Sequence, residues 1–229
     1  MWAVALALQA SAAVPYWRDP RVHNLGNAGI GGGIHAAMAP LATHVIDRIA
    51  YGGVDVRKRV LAEHTRPGDD VVDFGCGTGF STAASCTGVD TSAEMLWIAQ
   101  RVHPRKTFVS GNAETWGLPA SKDVVTVMFV LHEVPQLARR RILRNAAQVA
   151  KDKVVVADII PTYAPSNTML MGEPFVLEYL EHIDEDVAIV AEQTGRRVVV
   201  EDLLGRVRTW VLHHPTPPRT GRRAPARRR

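Results

Sequence analysis

Cysteine is scarce in this chain of 229 residues. There are two, Cys76 and Cys86. Two thiols form neither a disulfide framework nor a cysteine zinc set, so both are expected to be free in a reducing compartment. Long apolar runs are also missing. Beyond the first residues none approaches the ~18 apolar residues of a spanning helix, so no transmembrane segment is expected. The body of the chain lacks net positive charge as well. The net charge is +4, but Arg219, Arg222, Arg223, Arg227, Arg228 and Arg229 supply six positive charges in the last eleven residues. Without them the rest carries −2. No basic face is implied, and nucleic acid is not the expected partner. What is present, 46% hydrophobic and 22% charged residues, fits a soluble globular domain.

The opening "MWAVALALQASAA", residues 1–13, has an apolar run followed by small residues, as in a targeting segment, but no Lys or Arg before the run. Two readings stand: a cleaved organelle-targeting or secretory segment, or a short helix packed on a cytoplasmic protein. Residues 14–65 read as an N-terminal cap. Within them "VPYWRDPRVHNLGNAGIGGGIH" reads as irregular because of its Gly, Pro and Asn. Pro40 to Tyr51 reads as an amphipathic helix with Leu41, Val45, Ile46 and Ile49 on its apolar face, and Val56 to His64 as a second helix. From residue 66 to 214 strands alternate with helices, and the end reads as two antiparallel strands joined at Leu203, Leu204 and Gly205. The fold class is therefore α/β, a Rossmann-like, doubly wound and mainly parallel sheet with a C-terminal antiparallel hairpin and an N-terminal helical cap. Residues 215–229 are Pro/Arg-rich and expected to be disordered.

The most informative stretch is "VVDFGCGTGF", Val71 to Phe80. A phosphate-binding P-loop needs a lysine after its last glycine, and none follows. A dinucleotide fingerprint needs G-x-G-x-x-G with an acid about 20 residues on. Here Gly75, Gly77 and Gly79 are spaced G-x-G-x-G, and Asp90 follows Gly79 by only eleven residues. Asp73 stands where a carboxylate would repel a diphosphate and attract a cation. A positively charged nucleoside fits better than a phosphate.

At this point the sequence resembles the class I S-adenosylmethionine-dependent methyltransferases, in their small-molecule branch. "VVDFGCGTG", "TGVDTSAEML", "GNAETWGLP" and "DVVTVMFVLHEVP" match four of that family's motifs in order. The resemblance implies S-adenosyl-L-methionine as cofactor and a small-molecule methyl acceptor; a methyltransferase acting on RNA or protein and a non-catalytic module that binds S-adenosylmethionine are the alternatives. It implies that Gly75, Cys76, Gly77, Thr78 and Gly79 approach the methionyl part, and that Asp73 orients its ammonium. Asp90 would accept from both ribose hydroxyls, Thr91, Met95 and Phe129 would border the adenosine, and Asn112, Ala113 and Glu114 would meet the adenine. The segment "FSTAASCTG" is shorter than the family's first helix and second strand, so that helix is expected to have lost about a turn.

Methyl transfer from a sulfonium needs alignment more than proton chemistry, with a base only where the acceptor must lose a proton. His132 and Glu133 follow the fourth strand, at the expected mouth of the pocket, and are the candidates for that role. Tyr16, with Trp17, is a candidate lid over the cofactor. His23, Asn24 and His35 are expected near the donor methyl, and Met169, Met171, Glu173 and Phe175 over the acceptor. H-E-x-x-H is absent, so no metal is expected.

Overall fold

The computed structural model describes residues 15–215. The expectations for residues 1–13 and for the tail from residue 216 lie outside the described residues.

Alternating apolar strands and amphipathic helices build one mixed sheet. The strands are β1 (Val71–Phe74), β2 (Thr87–Asp90), β3 (Thr107–Ser110), β4 (Lys122–Met128), β5 (Ala150–Ile159), β6 (Arg197–Leu203) and β7 (Val207–His213), in the order β3-β2-β1-β4-β5-β7-β6. All neighbours from β3 to β5 pair parallel, while β5/β7 and β7/β6 pair antiparallel. The order reverses between β1 and β4, which opens a crevice at the carboxyl ends of these strands. The central strands read as unbroken apolar runs because both faces are covered. Val125, Val127, Val154 and Val156 are fully buried in the larger core. Removing each such side chain from water contributes about 1.5–3 kcal/mol.

The helices are α1 (Gly29–Ala50), α2 (Val56–His64), α3 (Ala93–Val102), α4 (Gln136–Val149), α5 (Asn167–Gly172) and α6 (Val176–Thr194). Ser92 caps α3 by accepting from the Met95 amide, and Gly195 closes α6 in the left-handed conformation. α4 turns Ile142, Leu143, Ala146 and Val149 inward, as expected. Leu137, assigned to that face, is instead 62% exposed, and Arg139 takes a fully buried place.

Four expectations need correction. The stretch read as irregular up to His35 contains the first turns of α1, which starts at Gly29 and runs through the glycines and Pro40. Packing explains why glycine is used there. A Cβ on Gly31 would run into the Leu25 carbonyl oxygen, and one on Gly32 would lie 2.6 Å from the Asn27 backbone. The apolar face assigned to this helix also points the wrong way. Leu41, Val45, Ile46 and Ile49 are exposed, whereas Gly32 and Ala36 are buried. Between β1 and β2 the helix is absent altogether, and residues 75–86 cross over as turns. Finally, the insert after β5 is not wholly irregular, because Ser166 caps the short α5.

Candidate active site

A cavity of about 300 Å³ occupies the crevice. Its floor comes from strand ends: Gly75–Thr78 after β1, Asp90–Ser92 after β2, Gly111–Ala113 after β3 and Met128–Val130 after β4. Its roof comes from the N-terminal segment, with Tyr16, Trp17, Val22, His23, Asn27 and the small residues Ala39, Ala42 and Thr43 of α1. α1 thus turns mostly small side chains, with Ile46, to the cavity, while Leu41 and Ile49 point outward.

At the floor the backbone turns sharply. Gly75 has φ 69°, and a Cβ there would run into a Val130 methyl. Gly77 has φ 49°, and a Cβ on it would meet nothing within 4 Å, so its open face borders the cavity. Asp90 accepts from the Gly77 amide at 2.8 Å and from the Ser92 amide at 2.8 Å. Burial pushes its carboxyl up to about 6, against the two amides that hold it down. Thr91, Met95, Asn112, Ala113, Phe129, Cys76 and Thr78 also border the cavity. The Asn112 Oδ1 is engaged locally, accepting from the Glu114 amide at 2.8 Å.

Three expected donor residues lie elsewhere. Asp73 is buried beneath the loop, its oxygens accepting from the hydroxyls of Ser81 (2.7 Å), Thr82 (2.7 Å) and Thr126 (2.8 Å). Its carboxylate organises the crossover from within and does not border the cavity. Gly79 is outside the lining too, and is needed for packing: a Cβ would lie 2.6 Å from the Phe108 ring. Glu114 accepts from the Tyr16 hydroxyl at 2.9 Å and does not border the cavity. That bond ties the roof to the β3 side. Burial, then the bond to Glu114, raises the Tyr16 phenol well above its ordinary range, so it is a neutral donor.

The other end of the cavity gathers ionisable groups from distant segments. The turn Leu131–Glu133 brings Glu133 to the cavity wall, while His132 points behind it. The His132 Nδ1 donates to Asp158 Oδ1 at 2.6 Å, and Asp158, fully buried at the end of β5, also accepts from the Leu131 amide at 2.9 Å. Burial alone would push the ring down, but the Asp158 carboxylate lifts it to about 9. As placed, His132 braces the turn and Glu133 faces the ligand space.

His23 and Asn24 sit on left-handed backbone, at φ 52° and 60°. The His23 Nε2 donates to Glu133 at 3.3 Å and its Nδ1 to Glu173 at 2.7 Å. Burial opposes the charged ring, yet the two carboxylates hold it up at about 10. His35 stacks beside it with ring centroids 4.0 Å apart and donates to Asn27 Oδ1 at 3.1 Å. Burial, and then the His23 charge, push His35 down to about 4. The sequence reading placed His23 and His35 near the donor methyl and Glu173 over the acceptor; the structure brings the three together at this end.

Asp158 and Arg139 escaped the sequence reading. Arg139 Nε donates to Asp186 at 2.6 Å, and its Nη1 to the Val134 carbonyl at 3.2 Å, steadying the turn that carries Glu133. The available signals were an acid closing an apolar strand and a charge at a helix position of apolar spacing.

Residues 71–153 match the methyltransferase-domain family. Over that stretch the chain carries a methyltransferase domain. It is similar to the trans-aconitate 2-methyltransferase of Rhodopseudomonas palustris strain BisB18, 38% identical over 93 residues, covering 32% of this chain and 36% of the relative. The trans-aconitate 2-methyltransferase of strain BisA53 is 29% identical over 141 residues, covering 53% of this chain and 49% of the relative. The chain therefore spans about a third to a half of the length of these curated relatives. Among solved structures, phosphoethanolamine N-methyltransferase 2 of Haemonchus contortus, in complex with S-adenosyl-L-methionine, superposes with a TM-score of 0.58 at 17% identity, over 71% of this chain and 53% of that one. This likeness concerns the fold. S-adenosyl-L-methionine is the methyltransferase family's cofactor, and the open glycine face at Gly77 beside the Asp90 carboxylate fits it.

Proposed function

We propose that this chain transfers a methyl group from S-adenosyl-L-methionine to a small molecule. One observation carries the reading: a single cavity joins the Gly75–Thr78 loop and Asp90 to Glu133 and His23 under one roof. The sulfonium supplies an activated methyl, so the protein's main task is alignment in a water-poor space. Asp90 accepts from ribose hydroxyls with the lone pairs its two amides leave free. Met95, Ala113 and Phe129 border the adenosine, and Asn112 its edge. Tyr16 and Trp17 close the roof and exclude water. Glu133 faces the acceptor and takes up its proton where one is released, while Asp158 and His132 hold the turn beneath it.

A cavity of about 300 Å³ under an N-terminal roof suits a small acceptor better than a macromolecule. The relatives are named for a small organic acid, trans-aconitate, which supports the same class. Among the described residues no helix is long and apolar enough to cross a membrane. Calorimetry with S-adenosylhomocysteine tests the donor half, with micromolar binding expected and absence of heat overturning the reading. Incubation with labelled methyl donor and a metabolite extract, read by mass spectrometry, tests the acceptor half.

A further inference from the structure

The cluster at the acceptor end has more negative groups than its surroundings balance. Glu133, Glu173 and Asp158 converge on two imidazoles, His23 and His132. The Glu173 side chain is 9% exposed, and its Oε2 is buried with no hydrogen-bond partner although the carboxyl group faces His23. A buried carboxylate oxygen without a partner is costly and marks a place for a missing group. The neighbouring Arg57, which borders the cavity, is not that group. Its guanidinium lies over the Phe129 ring at 4.3 Å and pairs with Asp47 at 3.4 Å.

We propose that His23, Glu133 and Glu173 bind a divalent transition-metal ion at the acceptor end of the cavity, leaving coordination positions open for oxygen atoms of the acceptor. One imidazole nitrogen and two carboxylate oxygens lie within 4.8 Å of one another. The 3.3 Å separation between His23 Nε2 and Glu133 is the ligand–ligand edge that metal bonds of about 2.0–2.2 Å produce. Glu173, whose Oε2 has no hydrogen-bond partner, supplies the third ligand atom. Imidazole with carboxylates suits zinc or manganese rather than calcium or magnesium. The two carboxylates that flank the ring draw such an ion, and the ring binds it in its neutral form. His35 stacks on His23 and completes the wall. The ion's role toward the acceptor rests on the methyl-transfer reading; the ion site itself does not.

The test uses the untagged full chain, stripped with chelator and titrated calorimetrically with Zn²⁺ and with Mn²⁺. S-adenosylhomocysteine is titrated in parallel. One ion per chain is expected, with affinity falling tenfold or more in His23→Ala and in Glu173→Gln. His182→Ala should leave it unchanged, since that ring lies away from the cavity beside Glu181 and Glu185. No saturable binding, equal affinity in Glu173→Gln, or loss in His182→Ala would each overturn the proposal. The first of these would leave His23 as a protonated clamp between the two carboxylates. If the two cavity variants lose S-adenosylhomocysteine along with the ion, the wild-type chain decides. Zn²⁺ should then protect His23 from diethyl pyrocarbonate, and undiminished modification sinks the site. Ion binding without S-adenosylhomocysteine binding in the wild type would retain the ion site and remove the methyl-transfer reading; the reverse result would do the opposite.

Discussion

The two ends of the cavity are built differently. The donor end is local: three short strand-end loops, each placed by the strand before it, supply Gly75–Thr78, Asp90–Ser92 and Gly111–Ala113. The acceptor end is assembled from the segment before α1, the turn after β4, the last residues of β5 and the end of α5. A parallel sheet dictates where its loops emerge, so the donor end follows once the strands are in register. The acceptor end depends on long-range ion pairs, and its shape is only as fixed as those pairs. This division teaches that damage to the two ends should have different signatures.

The largest expected effect separates them. Arg139 is fully buried, pairs with Asp186, and holds the carbonyls of the turn that presents Glu133. Arg139→Met should cost about 3 kcal/mol of stability, the lower end for breaking a buried pair, because Arg140 and Gln136 still contact Asp186. Denaturant unfolding measures this. Affinity for S-adenosylhomocysteine in the folded fraction should stay within about twofold, given that 1.4 kcal/mol corresponds to tenfold. A matching collapse of donor affinity would show that the two ends are one unit.

Asp90→Ala strikes the donor end instead. It leaves two backbone amides and the ribose hydroxyls without an acceptor. A loss of about 1–3 kcal/mol in S-adenosylhomocysteine binding is expected by calorimetry. Wild-type affinity in this variant would remove the ribose assignment.

The sequence showed these ends unequally for the same physical reason. Glycine spacing and a strand-end acid are contiguous, and Gly75, Gly77, Asp90, Asn112 and Ala113 border the cavity as their motifs imply. The place of Asp73 was not legible, because a carboxylate next to a glycine loop reads as bordering the cavity whether or not it lies beneath the loop. Only the tertiary structure brings the hydroxyls of Ser81, Thr82 and Thr126 onto it. His23 and His35 could be named as lying near the donor methyl and Glu173 over the acceptor, but not joined, since nothing in linear spacing records a contact between segments so far apart in the chain. Asp158 was hidden inside an apolar strand and Arg139 inside a run of arginines. The start of α1 was missed because its glycines, which weaken a helix in isolation, are required by the close approach of residues 25–27.

A smaller effect follows from acidity. The Asp90 carboxyl is pushed up to about 6 by burial. Its charged form is the better acceptor, so donor affinity should be flat above about pH 7 and weaken as the pH falls through 6. The loss should approach tenfold by about pH 5, one unit below that value. In Asp90→Asn, titrated in parallel, the slope should vanish. A slope that persists in the variant assigns the titration to the acceptor end.

The smallest expected effect concerns the roof. α1 faces the cavity with Ala39, Ala42 and Thr43 and presents Leu41 and Ile49 outward, at 71% and 79% exposure. Side chains so exposed bury little area, and replacing them normally changes stability by no more than about 0.5 kcal/mol. Leu41→Ser combined with Ile49→Ser should therefore leave the thermal midpoint and S-adenosylhomocysteine affinity almost unchanged. Two apolar side chains a little over two turns apart on one helix also form a continuous strip with Val45. If the double variant instead lost about 2 kcal/mol or more, that strip would be covered in solution. The roof would then be held from both sides, and the acceptor end would be less independent of the rest of the molecule than its ion pairs imply.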